Sequence, residues 1–197
     1  MTEMDTATSS DDSLAPVPFF YLRHGQTDWN LNRICQGQTD VPLNETGRGQ
    51  AHAAKAVLQG HEIETIVCSP LARAYETAEI VNQALGRPIV VLDSLQEIGF
   101  GVMEGGQIDE WFWRWRDGEE TPEGAERFQD FLRRALVAVN EALRHPGPVL
   151  IVAHGGVYWA VQRFGPLQEK ETLANAVPVH HVPPTAELSA WQTRILE

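Results

Sequence analysis

The chain has 197 residues, of which 43% are hydrophobic, and its formal net charge at pH 7 is −12. This length and composition suit one globular domain with a full hydrophobic core. The negative charge argues against nucleic acid or an anionic membrane surface as the main partner, since both would repel the protein.

The first residues, MTEMDTATSSDDS, are small, polar and acidic, and none of them is basic. Such a segment cannot bury a core face, so we predict a disordered tail over residues 1–15 and a folded domain over residues 16–197. The tail lacks the basic start and apolar run of a secretory signal, and no later stretch approaches the ~18 apolar residues of a membrane span. We therefore expect a cytoplasmic protein with no membrane partner.

Apolar segments typical of strands alternate along the chain with segments at helical spacing. The predicted strands are VPFFYL (17–22), ETIVCS (64–69), PIVVL (88–92) and PVLIVA (148–153). Asn44 is a candidate cap for a helix that runs to about Gln59, and Ser69-Pro70 is a candidate start for the next helix. The clearest amphipathic helix is predicted over 124–144. The alternation predicts an α/β three-layer sandwich, a mostly parallel central sheet with helices on both faces.

The segment 93–123 interrupts this alternation with several glycines followed by DEWFWRWRDGEE. It fits no sheet strand, so we interpret it as a small insertion over one edge of the sheet. In a helix, Trp111, Phe112 and Trp115 would share a face, which favours packing of the insertion. This packing leaves Trp113, Arg114 and Arg116 as possible pocket contacts. The alternative is that the aromatic side chains form a hydrophobic lid over a ligand.

Neither the two cysteines nor the one pair of adjacent histidines has the arrangement of a metal site. Cys35 and Cys68 lack the spacing of a metal or redox motif, and we interpret both as reduced, buried thiols. His180 and His181 are neighbours, but on an extended segment they point to opposite faces, which disfavours a shared metal. We predict no metal and no cofactor. The segment 175–197 is a candidate edge strand and a possible homodimer contact.

Three groups of charged or polar residues follow predicted strands, namely Arg23-His24-Gly25, Arg73 and His154-Gly155-Gly156. The carboxyl ends of parallel strands converge at one edge of a sheet, where ligands bind. Arginine presents paired planar donors to phosphate oxygens, and glycines beside each histidine would let backbone N–H groups approach the same oxygens. The N-terminus of a helix after Gly155 adds a partial positive charge. These features predict a site for a phosphoryl group.

Histidine is also a competent acceptor of a phosphoryl group, because a neutral imidazole nitrogen is nucleophilic near pH 7. The leaving oxygen then needs a proton. A carboxylate in the glycine-rich stretch LQEIGFGVMEGG is the candidate donor.

Four blocks, in the order LRHGQTDWN, SPLARAYETA, LQEIGFGVMEG and VAHGG, resemble the signature blocks of the histidine phosphatase superfamily, in its phosphoglycerate mutase-like branch. The resemblance implies that His24 is the nucleophile that becomes phosphohistidine. Arg23 and Arg73 would clamp the phosphate, and His154 would bind it and stabilise the transition state. Glu97 would protonate the leaving group and then activate water.

Further positions match the family near these blocks. The resemblance implies that Asn30 contacts the phosphate and that Gly155 offers its backbone N–H. Gln36 and Gly37 fall on a loop that borders the substrate in relatives. The resemblance also implies that the small insertion lies over the active site.

The block around Glu97 departs from the family, which often reads Glu-x-Asp-Phe-Gly-x-Trp-Glu-Gly. Gly99 replaces the aspartate and Met103 the tryptophan here. Glu104 is the alternative proton donor; its other possible role is to hold the loop through backbone hydrogen bonds.

The resemblance implies a metal-independent phosphomonoesterase that acts on a small phosphorylated metabolite through a phosphohistidine intermediate. A phosphoglycerate mutase is the first alternative, although mutases of this type carry a longer, more basic insertion after the acid loop. The second alternative is a module that binds a phospholigand without turnover. Such a module would lack the nucleophile or the acid, whereas His24 and Glu97 are both present.

Overall fold

The computed structural model describes residues 13–167 and 173–197 and contains one central sheet. Its strands are β1 (Phe19–Arg23), β2 (Thr65–Cys68), β3 (Ile89–Val91), β4 (Val149–Ala153), β5 (Pro178–Val182) and β6 (Gln192–Ile195). The α-helices are α1 (Asp28–Leu31), α2 (Glu45–Leu58), α3 (Ala72–Leu85), α4 (Glu110–Arg116), α5 (Phe128–Ala142) and α6 (Gly155–Phe164). Short 3₁₀ turns lie at Asp93–Leu95 and Gly101–Met103.

The strand order is β3-β2-β4-β1-β5-β6, and the pairs among β1, β2, β3 and β4 are parallel. β5 runs antiparallel to both β1 and β6. The register sets Arg23 opposite Ala153 and Cys68 opposite Val152, so the carboxyl ends of β1, β2 and β4 lie at the same edge. Every residue of β2 and β4 is buried, as expected for strands covered on both faces.

Side chains of β1 alternate between the two faces of the sheet. Phe19 and Tyr21 enter a core that includes residues of α5 and α6, whereas Phe20 and Leu22 enter a second core with residues of α2 and α3. The predicted three-layer α/β sandwich is confirmed. The predicted helix from the Asn44 cap is also confirmed, because the Asn44 side chain accepts the Gly47 N–H at 2.8 Å.

Two predicted helix starts are wrong. α3 begins at Ala72 rather than at Pro70, because the Ala72 N–H is held by the carboxylate of Asp40 at 2.7 Å, a residue far away in sequence. α5 begins at Phe128 rather than at 124, since the Glu126 N–H bonds to the Gly99 carbonyl at 2.8 Å and draws this segment away from the helix.

The amino-terminal boundary also moves. Leu14 is buried in the core, and the Asn140 side chain accepts the Ala15 N–H and donates to the Ser13 carbonyl, both at 2.9 Å. These three residues therefore belong to the folded domain rather than to the tail. The disorder predicted for residues 1–12 lies outside the described residues.

The carboxy-terminal segment supplies two strands, so the predicted edge strand is confirmed. His180 stacks on Phe20 and His181 on Phe19, on opposite faces of the sheet. In residues 13–167 and 173–197, no three His, Cys, Asp or Glu side chains come together as a potential metal site. Over the same residues, no helix has the length and apolar character that crossing a bilayer requires.

Candidate active site

Arg23, His24 and Arg73 line a cavity at the carboxyl edge of the sheet, and His154 packs against His24 from behind the cavity wall; we call these four residues the floor. Backbone bonds set their positions, because the His24 N–H bonds to the Ala153 carbonyl at 3.0 Å. His154 follows β4 directly, and its ring centroid lies 5.3 Å from that of His24. Arg73 projects from the first turn of α3 and is buried. The predicted convergence of these residues is confirmed.

His24 presents one ring nitrogen in a defined protonation state. Its Nδ1 lies 2.7 Å from the Gly25 carbonyl oxygen. Since a carbonyl only accepts hydrogen bonds, Nδ1 carries the proton and Nε2 keeps its lone pair. Burial, followed by the charges of Arg73 and Arg23, holds the pKa of His24 well below its usual value. The imidazole is therefore neutral at pH 7, as a nucleophile must be.

The two arginines of the floor are held by carbonyl oxygens. Arg73 donates to the carbonyls of Thr39 at 3.0 Å and Gly37 at 2.8 Å, and Arg23 donates to that of Leu173 at 2.9 Å. Burial lowers the pKa of both guanidinium groups. In the part of the chain that the structure describes, the buried Nε of each has no hydrogen-bond partner.

His154 has no exposed surface and lies against the ring of His24 rather than on the cavity wall. Its Nε2 is 2.7 Å from the Ser69 hydroxyl, and its buried Nδ1 has no partner among the described residues. Burial, then the charge of Arg73, lowers its pKa well below the usual value. A neutral ring with one unpaired nitrogen thus lies beside the candidate nucleophile.

The floor is covered by a roof, which we define as residues 93–127. Its cavity-lining carboxylate is Glu97, which accepts the N–H of Gly156 at 3.0 Å and of Ile98 at 3.1 Å. Burial raises the pKa of Glu97, although these hydrogen bonds and the charge of Arg73 oppose the shift. A Cβ at Gly156 would collide with the Glu97 carboxylate, so this close contact requires glycine. The first turn of α6 therefore holds the candidate acid.

Glu104 has the other role that the sequence allowed. It does not line the cavity; its carboxylate accepts the backbone N–H groups of Gln38 and Phe100 at 3.0 Å and of Thr39 at 2.9 Å. These bonds join the roof to the loop that carries Gly37. Gly37 has a φ of +53°, and any side chain there would collide with Glu104.

The two predicted phosphate contacts and the two residues predicted to border the substrate all line the cavity, namely Asn30, Gly155, Gln36 and Gly37. The Thr27 hydroxyl donates to Gln36 at 2.8 Å, and the Thr27 backbone N–H donates to Asn30 at 3.1 Å. The prediction for Gly25 is wrong. Its N–H donates to the Thr77 hydroxyl at 3.1 Å, and its missing side chain makes room for the Gly47 backbone.

The outer wall of the cavity, whose volume is about 420 Å³, is mainly apolar. Its members include Ile34, Ile108, Phe112, Trp159 and Arg116. The Arg116 guanidinium lies 5.5 Å from the Trp159 ring centroid, whereas the other two predicted pocket contacts, Trp113 and Arg114, are not on the wall.

The roof helix α4 both packs and lines the cavity. Phe112 and Trp115 are buried, which confirms the predicted packing face, and Trp115 contacts Phe100 with a centroid distance of 4.9 Å. Phe112 also forms part of the outer wall. Packing and ligand contact are thus combined in one helix.

Sequence reasoning missed three polar residues around the cavity. Ser69, interpreted only as a helix cap, accepts the Leu71 N–H at 3.3 Å and also bonds to His154. Asn175 donates to the His24 carbonyl at 2.9 Å, and Arg134 contacts the backbone of the Glu97 loop. Asn175 and Arg134 are far from the motifs in sequence, and no local pattern distinguishes them from surface residues.

Burial lowers the reactivity of both cysteines. It raises the pKa of the Cys35 and Cys68 thiols to about 12, so both are protonated, as predicted for free packing cysteines.

Comparisons with known proteins agree with this geometry. The family model for the histidine phosphatase superfamily (branch 1) matches residues 19–173. The uncharacterized phosphatase PhoE of Bacillus subtilis is 43% identical over 141 residues, which cover 71% of this chain and 72% of that protein. The probable phosphoglycerate mutase GpmB of Yersinia enterocolitica is 35% identical over 148 residues, 69% of this chain and 68% of its own length.

Among solved structures, a mycobacterial glucosyl-3-phosphoglycerate phosphatase in complex with VO3 superposes with a TM-score of 0.75 and 28% identity, covering 91% of this chain and 97% of that one. The family match, the relatives and the shared fold agree over most of the described residues. The chain therefore belongs to the histidine phosphatase superfamily (branch 1).

Proposed function

We propose that the protein is a metal-independent phosphomonoesterase that hydrolyses a small phosphorylated metabolite through a phosphohistidine intermediate. One observation carries this proposal. In the described residues, three buried nitrogens without a partner belong to the floor, namely Arg23 Nε, Arg73 Nε and His154 Nδ1, and His24 of the same floor keeps an unprotonated Nε2. Buried polar groups without a partner are costly, and a phosphoryl group supplies acceptors for all three.

In the first step, Nε2 of His24 attacks the phosphorus atom and forms the N–P bond. The bond from phosphorus to the leaving oxygen breaks, and the Glu97 carboxylic acid gives its proton to that oxygen. Arg23 and Arg73 bind the phosphoryl oxygens as charge develops on them. The Ser69 hydroxyl donates to Nε2 of His154, which places the His154 proton on Nδ1 for another phosphoryl oxygen.

In the second step, the Glu97 carboxylate takes a proton from a water molecule whose oxygen attacks phosphorus. The N–P bond breaks, inorganic phosphate forms and His24 returns to its neutral state. The raised pKa of Glu97 and the lowered pKa of His24 suit these opposite proton demands. Asn30, Gln36 and the Gly155 N–H complete the set of phosphate contacts.

The phosphatase names of PhoE and the mycobacterial relative support hydrolysis, and GpmB supports the mutase alternative. The composition of the outer wall favours hydrolysis. A phosphoglycerate mutase must also hold a substrate carboxylate, whereas among the described residues this wall is mainly apolar and carries one cation, Arg116. The wall also favours a leaving group with apolar surface.

The experiment measures inorganic phosphate released from p-nitrophenyl phosphate, benzyl phosphate and 3-phosphoglycerate with excess EDTA. We expect release without added metal, and an acid-labile, base-stable phosphate trapped on the protein. His24→Ala removes both, with a loss of about 10⁴-fold or more in kcat. The control His52→Ala alters an exposed helix residue and retains both.

Two results contradict the proposal. Isomerisation of 3-phosphoglycerate with little phosphate release indicates a mutase. Binding of inorganic phosphate or vanadate without turnover of any ester indicates a non-catalytic module.

A further inference from the structure

A single side chain from α5 holds the loop that carries Glu97. Arg134 donates through Nη1 to the carbonyls of Ser94 at 2.9 Å and Gln96 at 3.0 Å, and through Nη2 to that of Glu97 at 3.2 Å. This stretch of the roof is not part of the sheet, so it receives from a side chain the hydrogen bonds that a neighbouring strand would otherwise supply.

Glu126 holds Arg134 in this position. Its two carboxylate oxygens accept Arg134 Nε and Nη2, each at 2.8 Å, in a bidentate pair. The same carboxylate accepts the Gly99 N–H at 2.8 Å. The pair therefore binds the backbone on both sides of the Glu97 side chain. Arg134 binds carbonyl groups up to that of Glu97. Glu126 binds the N–H of Gly99.

The pair is shielded from water. The side chains of Arg134 and Glu126 are only 27% and 29% exposed, and the Arg134 guanidinium stacks over Phe131 at 4.9 Å. The neighbouring Arg133 differs, since its side chain is 72% exposed and its carboxylate contact is to Asp130 on its own helix at 3.9 Å. The two adjacent arginines thus have different surroundings.

We propose that Arg134, locked by Glu126, is a positioning residue that sets the Glu97 carboxyl group in line with the leaving oxygen. This inference rests on the proposed function. The loop has glycines at 99, 101 and 105, and the Glu97 carboxylate itself is held by two N–H groups, those of Ile98 and Gly156. Loss of the grip displaces the acid while leaving the floor in place, and a displacement of about 1 Å costs on the order of 10²-fold in rate.

Leaving groups distinguish this role from a general effect on stability. The p-nitrophenolate ion leaves without a proton, whereas the alkoxide from benzyl phosphate needs one. A displaced acid therefore slows benzyl phosphate selectively. A loss of folded protein lowers both rates by the same factor.

The experiment compares Arg134→Lys, which keeps the charge but loses the planar fork, with the matched control Arg133→Lys. We expect Arg134→Lys to lower kcat/KM for benzyl phosphate at least about tenfold more than for p-nitrophenyl phosphate. Arg133→Lys leaves both values unchanged. Glu126→Gln, which keeps the side-chain size, shifts the ratio in the same direction and serves if Arg134→Lys folds poorly.

A double variant tests the route of action. In a Glu97→Gln background, Arg134→Lys produces no further change in the substrate ratio, because the acid it positions is absent. An unchanged ratio in the single variants, or an additional shift in the double variant, overturns the proposal. If wild-type protein hydrolyses neither ester, the proposed function fails; if it hydrolyses both and the ratio stays constant, only the positioning role fails.

Discussion

The floor and the roof of the cavity are built in different ways. Main-chain bonds at the ends of β1, β2 and β4 set the floor, as in the bonds from His24 N–H to Ala153 and from Ser69 N–H to Val152. The roof has little regular structure near Glu97, and side chains of Glu104, Glu126 and Arg134 hold its backbone. The position of His24, the proposed nucleophile, thus depends on the sheet, whereas the backbone that carries Glu97, the proposed acid, depends on polar side chains.

The two regions also differ in electrostatics. In the floor, burial and then the charges of two guanidinium groups lower the pKa of both histidines. Burial of Glu97 in the roof raises its pKa instead. One cavity therefore holds a base that stays unprotonated and an acid that keeps its proton to higher pH. We infer that variants in the floor lower the hydrolysis rates of all phosphate esters alike. The effect of variants that displace Glu97 in the roof depends on the leaving group.

The largest effect on this comparison is expected from Glu97→Gln. It should lower kcat/KM for benzyl phosphate by about 10³-fold and for p-nitrophenyl phosphate by much less, because only the alkoxide needs the acid. In wild-type protein, kcat/KM for benzyl phosphate should fall as pH rises through the raised pKa of Glu97. This fall is the basic limb of the pH profile. Glu97→Gln removes it, as measured by the pH dependence of initial rates.

Glu104→Gln is the matched control for that limb. It weakens the bonds between the roof and the Gln38–Thr39 loop, so it lowers activity but retains the basic limb. If Glu104→Gln abolishes the limb and Glu97→Gln does not, the acid is Glu104 and the assignment to the roof loop is wrong.

A smaller effect is expected in the floor from Ser69→Ala. Without the hydrogen bond from Ser69, the proton of the His154 ring is no longer held on Nδ1. We expect kcat to fall about tenfold as a result. The factor should be equal for benzyl and p-nitrophenyl phosphate, as steady-state rates will show. Ser94→Ala, whose hydroxyl lies 3.5 Å from Glu141 on the surface, is the control. A strongly ester-dependent loss would contradict the proposal that Ser69 acts through His154 of the floor.

The smallest effect is expected on the outer wall from Ile108→Asn. Ile108 is 47% exposed, so its contact with an apolar leaving group contributes only about threefold to kcat/KM for benzyl phosphate. Methyl phosphate, which does not reach the wall, should be unaffected. Val102→Asn changes a residue that is 66% exposed and lies off the wall, and it should alter neither substrate. Equal effects of the two variants would exclude the wall as a leaving-group contact.

Much of the fold and the floor could be predicted, because the signals are local. Apolar runs separated by segments at helical spacing predicted β1, β2, β3 and β4. Asn44 predicted the start of α2. Strand ends in a parallel sheet converge, so Arg23, His24 and His154 could be placed together before any coordinates existed.

The errors had a different origin. Ser69 is a residue type that often caps helices, yet its hydroxyl also bonds to His154, which is 85 residues away. Gly25 appeared suited to a phosphate contact, yet it makes room for Gly47. In both cases a distant partner decided the role, and local propensity carries no information about such a partner.

By itself, the sequence predicted the alternation of strands and helices and the meeting of Arg23, His24, Arg73 and His154 at one edge of the sheet. These depend on side-chain periodicity and on residue types that suit phosphate. Only the tertiary structure decided how Glu97 is held, through Arg134, Glu126 and the Gly156 N–H, and which of its neighbours faces the cavity. The physical reason is that irregular backbone is positioned by hydrogen bonds between groups far apart in the chain, and packing of the whole fold brings those groups together.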